Sequence, residues 1–138
     1  MTESNSKFHV ALHVSDISKT IAFYEALFNT PPIKTKTDYA KFEINNPGLV
    51  ISFIETPGKV APGFGHLGLR VESEEILKGR KEEISEKIDI ALEEENTNCC
   101  YARQNKFWVN DPDGYEWEVY HMVEDVEKND VHIEATCC

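Results

Sequence analysis

Hydrophobic and polar positions alternate from Phe8 to Val14, with Val10, Leu12 and Val14 on one face and His9, Ala11 and His13 on the other. That period of two predicts a half-buried strand whose second face is small and polar. Ser15-Asp16 is a helix N-cap signal, and Ile17, Ile21, Tyr24 and Phe28 then recur at helical spacing until Asn29 to Pro32 (NTPP) stops the run. Strand-like stretches follow over 33–37, 39–44 and 49–55, the last two joined by the turn residues Asn45 to Gly48. Residues 57–65 (PGKVAPGFG) carry three Gly and two Pro and read as a linker.

The pattern then restarts. His66 to Val71 (HLGLRV) alternates with Leu67, Leu69 and Val71 on one face and His66, Gly68 and Arg70 on the other. A charged helix is predicted from Ser73 to Lys87, with Ile76, Leu77, Arg80 and Ile84 near one stripe. Ile88, Ile90 and Leu92 alternate as a strand, 101–109 is another, Asp111 to Gly114 is a turn, and 115–120 (YEWEVY) is the last strand. Superposing His9–Val14 on His66–Val71 gives an offset of 57 residues (66 minus 9). A repeated βαβββ unit predicts a pseudo-twofold. The expected fold is α+β: modules 7–56 and 64–121 in one domain spanning 1–122, a curved mixed sheet forming a cup with the helices outside. The polar, acidic stretch 123–138 reads as a flexible tail ending in cysteine.

Composition narrows the function. In 138 residues, 14 Lys and Arg stand against 25 Asp and Glu, a formal net charge of −11. Such a chain is repelled by a phosphate backbone or an anionic membrane. No apolar run approaches the ~20 residues of a spanning helix, and Met1 to Lys7 is polar, so a cytoplasmic location is expected. The four cysteines form two adjacent pairs, Cys99-Cys100 and Cys137-Cys138. Disulfide scaffolds spread cysteines to join distant segments; vicinal thiols in a reducing compartment instead point to a soft ligand.

The repeat brings chemistry to one place. Matching first strands put His9 and His66 near the pseudo-axis, facing the cup. On the last strand Glu116, Glu118 and Tyr120 share a face, and the faces alone do not say which points inward. A set of two histidines and a carboxylate with open positions suits Fe(II) handling O2.

His9 to Phe28 (HVALHVSDISKTIAFYEALF), the HLGLRV strand and DPDGYEWEVY (Asp111 to Tyr120) together resemble the vicinal oxygen chelate superfamily of glyoxalases, extradiol dioxygenases and bleomycin or fosfomycin resistance proteins. The resemblance covers about 7–121 and implies metal ligands at His9, His66 and Glu118. A fourth ligand, frequent in the superfamily, would fall four steps after Gly48, as Glu118 falls four after Gly114. That position is Ser52, a poor ligand, and Glu55 is three steps further on the other face. Ser52 argues against a glyoxalase I-type isomerase and for a three-ligand site. More narrowly, KTDYAKFEI (Lys36 to Ile44) and ENTNCCYARQNKFWVNDPDGYEWEVY (Glu95 to Tyr120) are similar to carbon–arsenic lyases and to cadmium-inducible proteins. That resemblance implies that Cys99 and Cys100 bind the arsenic of a trivalent organoarsenical such as methylarsenite. Soft trivalent arsenic prefers thiolate sulfur, and an R–As unit has two valences left for it. Neighbours on a regular strand point to opposite faces, so the pair is expected in a loop or bulge after Glu95–Asn98, in a loop that closes over the cup.

The expected activity is therefore Fe(II)- and O2-dependent cleavage of a C–As bond, by a monomer or homodimer. Two other functions remain: a non-catalytic thiolate protein sequestering Cd(II) or As(III), and another glyoxalase- or dioxygenase-type enzyme; a glutathione-using enzyme would want a basic pocket, for which Arg70 and Arg103 give thin support. Simpler roles suit most other polar residues. His13 lies about 7 Å along the strand from His9 and its repeat mate is Arg70. Glu116 reads as a solvated charge and His121 as lying opposite Glu118. Trp108 and Trp117 read as core, Tyr101 and Lys106 as possible cup lining, Glu93–Glu95 as solvated surface. Cys137-Cys138 with His132 is either an accessory metalloid trap or a free tail.

Overall fold

The structure, a computed structural model, describes residues 6–99 and 101–128, with Cys99 described by its backbone. The chain divides into two compact units at Ala61/Pro62, inside the predicted linker. Each is a four-stranded mixed sheet with one α-helix, in the order strand, helix, three strands, and a short 3-10 turn at Pro57–Lys59 ends the first. Among the described residues no helix is long and apolar enough to cross a membrane.

In the first unit β1 is Phe8–Val14, α1 Ile17–Phe28, β2 Lys34–Lys36, β3 Tyr39–Asn45 and β4 Gly48–Glu55. The sheet runs β1-β4-β3-β2, with β1 parallel to β4 and the other pairs antiparallel. The parallel pair follows from the crossover through α1. Asp16 caps that helix by accepting from Lys19 N at 3.1 Å, and Glu55 Oε2 accepts from Ile17 N at 2.9 Å. These bonds satisfy two of the free amides of a helix N-terminus. Asn29 closes the other end in the left-handed region at φ 50°. The buried stripe is wider than the predicted one: it holds Ile17, Thr20, Phe23, Tyr24, Leu27 and Phe28, while Ile21 is half-buried. Tyr24 anchors it against the sheet, with its ring 4.2 Å from Phe53 and 5.5 Å from Phe28.

In the second unit β5 is Leu67–Arg70, α2 Glu74–Ser85, β6 Leu92–Cys99, β7 Ala102–Asn110 and β8 Glu116–Asp125, in the sheet order β5-β8-β7-β6. Ser73 caps α2 by accepting from Ile76 N at 3.2 Å, and Glu74 and Glu75 sit where the helix dipole favours negative charge. Leu77 and Ile84 are its buried residues, whereas Ile76, expected on the stripe, is exposed. The turn after β7 is built by Asp111, whose Oδ1 accepts from the Asp113 and Tyr115 amides at 2.9 Å each, with Gly114 at φ 89°.

Two boundaries differ from those the sequence pattern predicts. The expected strand over Ile88–Leu92 lies earlier than β6: Ile84 O accepts from the Lys87 and Ile88 amides, so Ile88 belongs to the turn closing α2. The strand forms instead through the acidic run, because ladder hydrogen bonds do not need apolar side chains and charges suit the sheet edge that β6 occupies. The closing strand also runs past 120 to Asp125, paired with Ala102 and Arg103, and Arg103 adds an ion pair to Glu124 at 3.2 Å.

Candidate functional site

The second sheet has two chemically distinct faces. Phe107 and Val109 alternate with Lys106 and Trp108 along β7. Asn105, in step with Phe107, donates from Nδ2 to Glu74 Oε2 at 2.8 Å, which identifies the helix side. The opposite face carries His66, Glu118, Lys106 and Trp108. Glu118 pairs in register with Gly68, so it lies diagonally across from His66, and its Oε1 is 3.5 Å from His66 Nε2. Gly68 makes this possible: a Cβ there would stand 2.9 Å from Glu118 Cγ. His66 rests edge-on against Trp108 with ring centres 4.9 Å apart, and Trp108 Nε1 donates to Glu94 Oε1 at 3.0 Å. Lys106 donates from Nζ to Glu118 Oε2 at 3.0 Å.

This arrangement fits a divalent metal. Ligand bonds of about 2.1 Å at about 90–110° place two donor atoms roughly 3.0–3.4 Å apart, close to the His66–Glu118 spacing. The donors are an imidazole nitrogen and a carboxylate oxygen, the set used by Fe(II) and Zn(II). Within either unit, among the described residues, no three His, Cys, Asp or Glu side chains gather around one point. The second unit thus brings together two candidate donor side chains, His66 and Glu118.

The first unit holds the matching diagonal. Ser52 pairs in register with Ala11, and its Oγ is 3.3 Å from His9 Nε2. Ala11↔Ser52 and Gly68↔Glu118 are equivalent positions of the two sheets. Ser52 is therefore the first unit's counterpart of Glu118, as the count from Gly48 anticipates. Glu55 is committed elsewhere, to the α1 amide.

The cysteine hairpin is shaped by a bulge. Glu94 pairs with Lys106 but Thr97 pairs with Gln104, so β6 advances three residues while β7 advances two. Asn96 takes φ 49° there, and its amide donates to Asn105 Oδ1 at 2.6 Å. A one-residue slip exchanges the two faces for everything beyond it. Beyond the bulge Cys99 pairs in register with Ala102. Cys99 is the last residue of β6 rather than part of a loop. Cys100 lies outside the described residues, as do His132, Cys137 and Cys138. Tyr101 follows at φ 58° and its carbonyl accepts from Val126 N at 2.9 Å.

Other polar residues take local roles. The ring of His13 bonds Thr56 Oγ1, and His121 Nδ1 is 3.3 Å from Val71 O. Trp117 is buried core, Tyr101 is exposed, and Glu116 is half-buried. Lys106, Glu94 and Asn105 gain roles that the sequence pattern does not assign them. A visible signal for Lys106 is a lysine immediately before the apolar run Phe107-Trp108-Val109, on the same strand face as Trp108.

Two sheets of this topology, each with a histidine in or immediately before its first strand, define an α+β class, and comparison with known proteins gives the family. Residues 8–119 match the Glyoxalase/Bleomycin resistance protein/Dioxygenase superfamily, to which the chain belongs. Among curated relatives, a "Trivalent organoarsenical cleaving enzyme" of Bacillus sp. (strain MD1) is 43% identical over 94% of this chain and 81% of its own. A "Cadmium-induced protein CadI" of Mycobacterium tuberculosis (strain ATCC 25618 / H37Rv) is 38% identical over 88% of this chain and 80% of its own. A crystal structure of a glyoxalase/bleomycin resistance protein/dioxygenase from Alicyclobacillus acidocaldarius shares the fold, with TM-score 0.71 at 14% identity over 90% of this chain and 96% of that one.

Proposed function

We propose that this chain is a cytoplasmic non-heme Fe(II) enzyme that cleaves the C–As bond of trivalent organoarsenicals with O2, using His9, His66 and Glu118 as metal ligands and Cys99 and Cys100 as the arsenic-binding pair. The observation that carries the reading is the ligand-spaced His66–Glu118 pair in a chain 43% identical to an organoarsenical cleaving enzyme.

In this proposal the two thiols replace two hydroxyls on R–As(OH)2, forming two As–S bonds and releasing two waters. Arsenic is then tethered at two points, and only the carbon substituent remains outside the clamp. The bulge held by Asn105 sets the backbone register of β6 just ahead of Cys99. Positioning of this kind turns an encounter into an intramolecular reaction, which is worth several orders of magnitude in rate. His66 is held by the Trp108 ring and Glu118 by its packing across Gly68. Ser52, at the place of a possible fourth ligand, has a weakly coordinating hydroxyl, which leaves room for reactants. Iron, when bound, supplies the activation of O2. For methylarsenite the overall change balances as CH3As(OH)2 + O2 → As(OH)3 + CH2O: carbon is oxidised, oxygen reduced, and arsenic stays trivalent.

The test is anaerobic Fe(II) loading, then methylarsenite with and without O2, with inorganic arsenite and O2 measured. Arsenite release that needs O2 and is lost in Cys99→Ser and Cys100→Ser is the expected result. Release at the wild-type rate from both variants would overturn the thiol-clamp assignment. The relatives named cadmium-induced support a second reading, thiolate sequestration of Cd(II) or As(III). A sequestering protein returns its ligand chemically unchanged and consumes no O2.

A further inference from the structure

Lys106 carries a charge into the second unit's sheet that none of the steps above uses. Its side chain has 0% exposure, and its ammonium lies 3.0 Å from Glu118 Oε2. It sits beside two rings, 5.7 Å from the centre of Trp108 and 5.8 Å from that of Tyr120. Burying an ammonium is costly unless a counter-charge meets it. An acid needed only as a counter-charge would not also have to approach a histidine. Glu118 does both. Packed over Gly68, it turns Oε1 toward His66 and Oε2 toward Lys106. Its two oxygens are divided between different partners.

We propose that Lys106 is a positioning residue that makes Glu118 a one-oxygen metal ligand and so keeps a coordination position open. The inference rests on the reading of His66 and Glu118 as ligands of a divalent metal. A carboxylate bound through both oxygens fills two positions on the ion, and through one oxygen it fills one. The ammonium engages the second oxygen, cannot itself ligate, and repels the ion from that side. The arrangement gives up some metal affinity to retain an open site.

The test is an anaerobic Co(II) titration of the metal-free full chain, read by visible absorption and by Tm, in wild type, Lys106→Met, Lys106→Arg and His66→Ala. Cobalt's visible bands weaken as coordination number rises. With the ammonium gone, Lys106→Met is expected to bind Co(II) about tenfold more tightly, from the lost charge repulsion alone, with weaker bands and a larger metal-dependent rise in Tm. Lys106→Arg, which keeps the cation and its hydrogen bond to the carboxylate, is expected to retain the wild-type spectrum. A merely structural lysine predicts the opposite sign: Lys106→Met binds Co(II) more weakly. That result, or a spectrum superimposable on wild type, would overturn the inference and leave the metal reading intact. If wild type binds no Co(II), or His66→Ala binds it equally well, the metal reading falls and the inference with it. Should Lys106→Met fail to fold, a crystal structure of the Co(II)-loaded wild type decides. Oε1 alone on cobalt supports the inference; both oxygens on cobalt overturn it.

Discussion

The two units share one topology and have diverged in what they do with it. The first invests in its core: Tyr24, Phe28, Phe42 and Phe53 interlock as a four-ring cluster between α1 and the sheet. Its polar diagonal is only a histidine and a serine. The second has a thinner helix interface, where Leu77 and Ile84 are the buried residues of α2, and places Glu118 and Lys106 inside the sheet's other face. A duplicated unit can therefore keep its backbone register while one copy becomes the more heavily charged. The register tolerates this because cross-strand pairing is set by the backbone, whereas the diagonal partner of the strand histidine is a free choice of side chain.

That contrast can be broken most sharply at the diagonals. Glu118→Ala is expected to lower metal affinity and arsenite release by more than about 100-fold, since even outer-shell changes reach ~10–100-fold; metal titration and product assay check this. Next is Tyr24→Ala, which empties the middle of the first unit's ring cluster. A loss of about 3–5 kcal/mol in urea unfolding is expected, as for other large-to-Ala changes in a core. Asn105→Leu removes the amide that joins the bulge to α2 and leaves the Asn96 N–H without that acceptor. The expected loss is roughly 1–3 kcal/mol, with faster amide exchange at Asn96 as the local signature. The smallest effect belongs to Ser52→Ala: about 1 kcal/mol or less for one part-buried hydrogen bond, with metal affinity near wild type. A large metal defect in Ser52→Ala would show that the diagonals of the two units are not so different after all.

Much of this is legible in the order of residues. The alternation at Phe8–Val14, its echo at His66–Val71 and the Asp111–Gly114 turn locate the repeat, because period-two patterning and turn chemistry are local properties. The Ser52/Glu118 equivalence also follows from counting along strands, since residues an even number of steps apart share a face. Other features are hidden for identifiable reasons. β6 is obscured because Leu92-Glu-Glu-Glu-Asn-Thr-Asn-Cys99 lacks an apolar face, and only pairing with β7 makes it a strand. The bulge at Asn96 carries no composition signal of its own; the partner is Asn105, nine residues on. Lys106 gives a hint but no role, since the sequence does not say which carboxylate meets it.

The order of elements, the repeat and the types of donor atom were determined by the sequence alone, because each depends on residues within one strand, helix or turn. Tertiary structure decided which acid meets which base: the split of Glu118 between His66 and Lys106, and the register that the Asn105-bound bulge assigns to Cys99. Those pairings join residues from separate strands, and their energies depend on distance and burial, which exist only once the sheet has closed its ladder.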